Sequence, residues 1–152
     1  MNLIFLSSPQ SEFKRFRKEL CYFILTEPYL SNYFNVFLFE NLPANERNPQ
    51  NNYLDKVEEC SIYLGLFGKT YGTEDDDGLS ATEHEYNYAG ELEKYRLIYL
   101  KKLTNRTIQE PKMTNLINRA KQEVTYSTFR TINELRFKVM QSLLYWQQNH
   151  SN

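Results

Sequence analysis

Two short polar segments follow apolar stretches of the chain and have side chains suited to holding an anion or an aromatic ring. Ser7 and Ser8 come directly before a predicted helix, whose free amides and dipole favour a phosphate-like anion. Gly68, Lys69 and Tyr71 follow a later apolar run. There Lys69 would pair with a phosphate and Tyr71 would stack on a base. We therefore predict a nucleotide-sized pocket that Ser7, Ser8, Gly68, Lys69 and Tyr71 contact.

A third polar segment places two carboxylates, Glu83 and Glu85, in the first turns of a predicted helix. Ser80 and Glu83 have the spacing of a capping box, in which each side chain bonds the other residue's backbone amide. The helix N-terminus favours an ionised Glu85 by about 0.3–1 kcal/mol. The role of His84 stays open, and the acidic run at 74–77 lacks the spacing of a calcium loop. We interpret that run as a solvated loop, and we expect no metal site.

Five apolar segments have the length of buried strands and alternate with segments of helical periodicity. The predicted strands are Leu3–Leu6, Phe34–Phe39, residues 61–67, Arg96–Leu100 and Val124–Phe129. Ser8 is a candidate cap for the first helix, with Pro9 in its first turn. A second capping box, from Thr131 to Glu134, predicts the start of the last helix.

Strands that alternate with helices predict a parallel sheet covered on both faces. The expected fold is therefore a flavodoxin-like, three-layer α/β sandwich with the five strands in the order 2-1-3-4-5. In such sheets ligands bind beyond the carboxyl ends of the strands, where the strand order reverses. That point lies between the first and third strands, so the three polar segments should converge there. We expect one domain over residues 1–152.

Composition excludes several other classes of protein. The chain has 18 basic and 19 acidic residues among 152, which argues against a broad basic face for duplex nucleic acid. Its two cysteines, Cys21 and Cys60, lie within apolar patterns and predict buried free thiols in a reducing compartment. No stretch approaches the length of a membrane-spanning helix. We therefore expect a cytoplasmic protein without a membrane partner.

Several segments of the chain, in order, resemble the bacterial domain of unknown function DUF4062. They are Ile4–Ser8, Val36–Glu40 with Leu42–Ala44, Tyr53–Asp55, Cys60–Gly68 with Tyr71–Gly72, Gly78–Ser80, Thr82–Glu83 and Glu85–Tyr86. The family is similar to Toll/interleukin-1-receptor (TIR) domains and to nucleoside deoxyribosyltransferases. Those relatives share a helix motif of Glu, an apolar residue, two variable positions and Ala. Here the motif reads Glu85-Tyr86-Asn87-Tyr88-Ala89.

The resemblance implies that Glu85 is the catalytic carboxylate of an enzyme that cleaves the N-glycosidic bond of NAD or a nucleotide, in bacterial defence or signalling. An ionised carboxylate beside the anomeric carbon stabilises or attacks the oxocarbenium-like transition state, so we expect a nucleophile or stabiliser rather than a general acid. Ser7 and Ser8 would hold phosphate or ribose hydroxyls, and Tyr71 or Phe67 would stack on the base. NAD or the nucleotide would be a substrate, and no resident cofactor is expected.

Two alternatives to an enzyme stay open, because fold alone is weak evidence for activity. The domain would be a sensor that binds a nucleotide and catalyses nothing, or an interaction module that assembles with copies of itself. For the second alternative, Tyr29, Tyr33 and Tyr145 are predicted to be exposed. A C-terminal domain or a partner protein would also bring copies together.

Overall fold

The computed structural model describes residues 1–150. Its strands are β1 (Asn2–Ser7), β2 (Phe34–Phe37), β3 (Ile62–Phe67), β4 (Tyr95–Lys101) and β5 (Ser127–Phe129). Its α-helices are α1 (Gln10–Thr26), α2 (Pro49–Glu59), α3 (Ala81–Glu91), α4 (Pro111–Glu123) and α5 (Ile132–His150). Short 3-10 turns occupy Leu30–Asn32 and Phe39–Asn41.

The five strands form one parallel sheet in the order β2-β1-β3-β4-β5, which confirms the predicted topology. β1 lies between β2 and β3 and is hydrogen-bonded to both. In this register Phe5 is opposite Tyr63, and Ser7 is opposite Gly65. Because side chains alternate along a strand, Phe5, Ser7, Tyr63 and Gly65 share one face of the sheet.

Helices cover both faces of the sheet, so the predicted three-layer arrangement is confirmed. On one face, α1 and α5 pack through an apolar cluster that includes Phe13, Leu20 and Leu143. On the other face, α2, α3 and α4 pack through a second cluster that includes Val57 and Ala89. Ser7 belongs to the second face, which is why its side chain meets α3.

The starts of the helices differ in part from the prediction. Ser80 accepts a hydrogen bond from the Glu83 amide at 3.2 Å, as a capping box requires. The Glu83 carboxylate, however, accepts from the Tyr71 hydroxyl at 2.7 Å, and this hydroxyl in turn accepts from the Ser80 amide at 3.2 Å. Tyr71 therefore stands between the two partners. The predicted cap at Ser8 is wrong, because Pro9 occupies the N-cap position of α1 and no side chain caps that helix.

Two strand boundaries also need correction. The second strand ends at Phe37, because a 3-10 turn begins at Phe39. The fifth strand begins at Ser127 rather than Val124, which is the residue that ends α4. Both changes shorten an edge strand, where pairing on a single side gives the backbone less support.

The remaining expectations concern burial. Cys21 and Cys60 are both buried and free, as predicted. Tyr29, Tyr33 and Tyr145 are exposed, as predicted. Within residues 1–150, no helix has both the length and the apolar composition needed to cross a membrane.

Candidate functional site

A cavity of about 220 Å³ opens at the carboxyl end of β1, where the strand order reverses. Its walls come from the end of β1, the start of α1, the Phe39 turn, α2, and the segment that leads from β3 into α3. This is the position at which doubly wound sheets bind ligands. The volume lies slightly below the roughly 300–1,000 Å³ typical of small-molecule sites, so it suits a ligand of nucleoside size.

Glu85 forms part of the wall on the α3 side. The residue is 7% exposed, and its Oε1 accepts a hydrogen bond of 2.6 Å from the Ser7 hydroxyl. Ser7 ends β1 and is itself buried. The bond therefore fixes one carboxylate oxygen against the sheet, and the carboxyl group still borders the cavity.

Burial raises the pKa of Glu85 to about 7, although the Ser7 hydrogen bond and the Arg17 charge act to lower it. The nearby Glu40 carboxylate adds to the increase. The position near a helix N-terminus favours an ionised carboxylate, but the loss of hydration outweighs that contribution. At neutral pH Glu85 is thus divided between its two protonation states, which is the range in which side chains exchange protons with substrates.

An ion pair between Arg17 and Glu40 lies beside the same cavity. The Arg17 guanidinium is 2% exposed and forms a bidentate pair with Glu40, with N–O distances of 2.8 and 2.7 Å. It also donates to the Ser8 hydroxyl at 2.9 Å. Burial alone would raise the pKa of Glu40, but the hydrogen bonds and charge of Arg17 hold that pKa below its usual value. Arg17 and Ser8 both border the cavity, so its wall includes the guanidinium of this ion pair.

Aromatic side chains line another part of the cavity. Phe5, Phe39 and Tyr53 all border it, and the rings of Phe39 and Tyr53 meet edge to face with centroids 6.3 Å apart. Burial raises the pKa of the Tyr53 hydroxyl, and the charge of Glu85 adds to this effect. Tyr53 and Glu85 border the same cavity.

The loop after β3 is held by side chains from outside it. Glu12 accepts hydrogen bonds from the amides of Lys69 and Thr70 at 2.8 to 3.0 Å, and Glu110 accepts from the Tyr71 amide at 2.9 Å. The Gln109 side chain donates to the carbonyl of Gly68, the residue before Lys69, at 2.8 Å. These bonds fix the path of the loop.

The structure brings together only part of the predicted set of ligand-binding residues. Ser8 and Glu85 border the cavity, and Ser7 is bonded to Glu85. Gly68, Lys69 and Tyr71 lie outside the walls of the cavity; the Lys69 side chain is exposed, and Tyr71 is buried against Glu83. Phe67 is buried in the core and meets Tyr86 edge to face.

Gly72 and Thr73 are the residues by which this loop borders the cavity. Gly72 has a φ of 100°, a backbone conformation that other residues rarely adopt. Glu83 bonds Tyr71 and lies 3.2 Å from Arg119, so its carboxylate already has protein partners. His84 pairs with Asp75 at 2.5 Å, and Asp75 also accepts from two amides of its own loop.

Sequence reasoning missed Arg17, Glu40 and Tyr53. A signal existed for Arg17, because it falls in phase with the apolar residues Phe13 and Leu20 on the buried face of α1. A charged residue at such a position is rarely buried without a partner. The partner itself, Glu40, follows β2 and had no distinguishing pattern. Within residues 1–150 no group of three or more acidic, histidine or cysteine side chains is placed to hold a metal ion.

Comparisons with known proteins agree with this fold. Residues 3–144 match the family described as "Domain of unknown function (DUF4062)". The solved structure of the CMP N-glycosidase BcmB from Clostridium botulinum is 16% identical, with 93% of this chain and 99% of that one aligned and a TM-score of 0.57. A 2-desoxiribosyltransferase from Leishmania mexicana is 13% identical over 72% of this chain and 79% of that one, with a TM-score of 0.50. At these identities the likeness is one of fold. No curated protein matches the chain.

Proposed function

The chain belongs to the DUF4062 family, and from that premise we propose that it binds a nucleotide in the cavity beside β1 and cleaves its N-glycosidic bond. The observation that carries the proposal is Glu85: a buried carboxyl group that borders a nucleoside-sized cavity, is held by Ser7, and has a pKa of about 7. Two proteins with the same fold, a CMP N-glycosidase and a 2-desoxiribosyltransferase, have names that indicate chemistry at nucleosides or nucleotides.

The reaction consumes one water. The bond between the anomeric carbon and the base nitrogen breaks, and its electron pair leaves with the base. The cytosine of CMP takes up a proton, whereas the nicotinamide of NAD leaves as a neutral molecule and takes up none. A water molecule supplies a hydroxyl group to the anomeric carbon and releases a proton. The ionised Glu85 carboxylate stabilises the positive charge that develops on the ribose, or attacks it and is later released by water.

The wall of the cavity contains two kinds of side chain that suit the two parts of a nucleotide. Ser8 and Arg17 supply polar and positive groups close to the start of α1, where backbone amides also favour an anion. They would bind the ribose phosphate. Phe39 and Tyr53 form the aromatic part of the wall, which would bind the base. The small volume favours a mononucleotide such as CMP, and NAD is the second candidate, bound by its nicotinamide ribose half.

The test is release of free base from CMP, from NAD and from a panel of nucleosides and other nucleotides, followed by chromatography. We expect release that increases as pH rises through about 7, because the ionised form of Glu85 acts. Glu85→Gln should reduce the rate by roughly 10³-fold or more, in line with the loss of a catalytic carboxylate. Glu91→Gln, an exposed carboxylate on the same helix, is the matched control and should leave the rate unchanged.

Absence of base release from every compound, at protein concentrations high enough to force assembly, would sink the enzymatic proposal. Binding of CMP or NAD without release would then identify a nucleotide sensor. If the chain neither binds nor cleaves any of these compounds but associates with itself as its concentration rises, as measured by light scattering, the assembly module is favoured instead. Tyr29, Tyr33 and Tyr145 are the exposed aromatic residues to replace in that case.

A further inference from the structure

Tyr53 has a hydroxyl group that no protein atom satisfies. The residue is 7% exposed and borders the cavity, and its hydroxyl makes no hydrogen bond with any side chain or backbone group of residues 1–150. Unlike the Tyr63 hydroxyl, which is fully buried, the Tyr53 hydroxyl is not shielded from solvent, so its donor is free for a ligand that enters the cavity. A ligand in the cavity can therefore accept a hydrogen bond from Tyr53.

Other buried tyrosines of the chain are mostly satisfied within the protein. The hydroxyl of Tyr71 donates to Glu83, that of Tyr86 to Glu123 at 2.6 Å, and that of Tyr99 to Ser142 at 2.5 Å. Tyr63 also has no partner, but it is fully buried and does not border the cavity. Tyr53 thus combines two properties: an unpartnered hydroxyl and a position in the cavity wall.

We propose that the Tyr53 hydroxyl donates a hydrogen bond to the acceptor atom beside the glycosidic nitrogen of the nucleobase. That acceptor is O2 in pyrimidines and N3 in purines, so each common base carries one. This inference rests on the proposed function and adds a role for a second residue. Tyr53 contacts the leaving base, and Glu85 acts on the sugar.

The position of Tyr53 fits this role. Its ring packs against Phe39 in the aromatic part of the cavity, where a base would stack, and Pro49 extends the same apolar surface. Glu85 borders the same cavity and must stand beside the anomeric carbon, one bond from the glycosidic nitrogen. A donor that reaches the neighbouring acceptor therefore lies on the base side of the bond that breaks.

The chemistry of the hydroxyl also fits. Burial and the charge of Glu85 raise the pKa of Tyr53, so the phenol keeps its proton and remains a donor at neutral pH. When the glycosidic bond breaks, the electron pair moves onto the base and its acceptor atom becomes more negative. A hydrogen bond to that atom is then stronger than in the bound substrate, which is the condition for faster reaction.

The experiment measures binding without turnover, in chains that carry Glu85→Gln, by calorimetry with CMP and with ribose 5-phosphate. Adding Tyr53→Phe should weaken CMP binding by about 5–20-fold, the loss expected for one hydrogen bond. Binding of ribose 5-phosphate, which has no base, should change by less than about twofold. Tyr99→Phe is the matched control: it removes a buried tyrosine hydroxyl on the other face of the sheet and should change neither affinity.

A second probe keeps the inference testable if the Tyr53 variant does not fold. The chain with Glu85→Gln alone should bind CMP more tightly than 2-thio-CMP, in which a weakly accepting sulfur replaces O2. In a folded Tyr53→Phe variant that preference should disappear.

Equal binding of CMP to chains with and without the Tyr53 hydroxyl would overturn the inference. An equal loss for ribose 5-phosphate would do so too, because the hydroxyl would then contact the sugar. Equal affinity of the Glu85→Gln chain for CMP and 2-thio-CMP would also overturn the inference. The two proposals can also fail separately. If Tyr53→Phe weakens CMP binding as expected but the wild-type chain releases no cytosine, the proposed function is wrong and this inference stands. Failure of every probe to bind would remove both.

Discussion

Glu85 borders the cavity and Glu40 is bound to Arg17, another residue of the cavity wall, yet the pKa values of the two carboxyl groups shift in opposite directions. Glu40 meets a guanidinium in bidentate geometry, and its pKa is lowered despite its burial. Glu85 meets a neutral hydroxyl, and its pKa rises to about 7. The same element, β1 with the residue after it, holds the two hydroxyls that serve the two sides: Ser8 bonds Arg17, and Ser7 bonds Glu85.

The difference has two causes: Glu85 is more deeply buried than Glu40, and only Glu40 contacts a cation. A cation in direct contact compensates for lost hydration, whereas one hydroxyl donor compensates only in part. The Arg17 side of the cavity is consequently a permanent ion pair that holds its geometry. The Glu85 side keeps a carboxyl group that gains or loses a proton near neutral pH. A role in binding and in holding the geometry suits the first, and a chemical role suits the second.

The largest expected effect comes from removing the titrating group on the Glu85 side. In the folded chain Glu85 binds its proton up to about pH 7, and in the unfolded chain only up to about 4.5. The folded state therefore holds more protons between these values, and wild-type stability falls as pH rises through that window, by about 3 kcal/mol in total. Glu85→Gln has no such titration. Urea unfolding at about pH 5 and about pH 8 should show the variant gaining about 2.5 kcal/mol relative to wild type, slightly less than the total because pH 5 lies above the unfolded pKa.

The control for this measurement is Glu91→Gln, an exposed carboxylate on the same helix, whose stability should follow that of wild type at both pH values. A Glu85→Gln variant with the same pH dependence as wild type would show that the carboxyl group titrates normally. The contrast between the two sides of the cavity would then not exist.

The next effect should come from the Arg17 side. Arg17→Met keeps the apolar stem but leaves Glu40 and Ser8 without their donor. Loss of one partner of a buried ion pair costs about 3–5 kcal/mol; since the Glu40 side chain is 32% exposed and water can reach it, we expect about 2 kcal/mol. The double variant with Glu40→Gln should recover part of this loss. Arg15→Met, on the same helix but exposed, is the control in urea unfolding.

Arg17→Met sharpens the comparison in a second way. The Arg17 charge lowers the pKa of Glu85, so its removal should raise that pKa further. The pH at which base release reaches half its maximum should move upward. A midpoint that does not move would mean that the two sides are electrically independent, and one that moves downward would contradict the expected sign of the Arg17 effect.

Much of the fold was predictable, because it depends on patterns that are local in the sequence. Continuous apolar runs such as Ile62–Phe67 mark strands buried on both faces. The alternation of strands and helices then determines a parallel sheet, and the position of the ligand site follows from the strand order. The edge strands β2 and β5 were the least accurate, since pairing on one side only leaves their ends to be decided by neighbouring turns.

A site residue was predictable only where its type and its position at the end of a strand or the start of a helix were enough to identify it. Ser7 and Glu85 lie at a strand end and in the first turns of a helix, and the structure places them in contact. The contact of Arg17 with Glu40 joins two elements separated by 23 positions, and no local pattern encodes it. Lys69 and Tyr71 look like ligand-binding residues in the sequence, but Glu12 and Glu110 hold their backbone in a loop outside the cavity walls.

A smaller effect is expected from Ser7→Ala, which removes the one hydrogen bond that lowers the pKa of Glu85 from within the site. That pKa should rise, so base release at pH 7 should fall by about 3–10-fold, the change expected from the loss of one hydrogen bond of about 1 kcal/mol. The rate should recover toward the wild-type value at higher pH. Ser142→Ala, which removes a hydroxyl on the other face of the sheet, is the control. A loss that is equal at all pH values would show that Ser7 positions Glu85 without affecting its charge.

The smallest effect is expected at Glu83, two positions before Glu85 on α3. Its carboxylate is half-buried, accepts from the Tyr71 hydroxyl and pairs with Arg119, so it resembles Glu40 in having a cation. Glu83→Gln keeps an acceptor for Tyr71, and we expect a change in base release below about twofold and a loss of stability below about 1 kcal/mol. If instead Glu83→Gln abolished base release and Glu85→Gln did not, the catalytic carboxylate would be the paired one. Contact with a cation would then not mark a carboxylate of this protein as structural rather than catalytic.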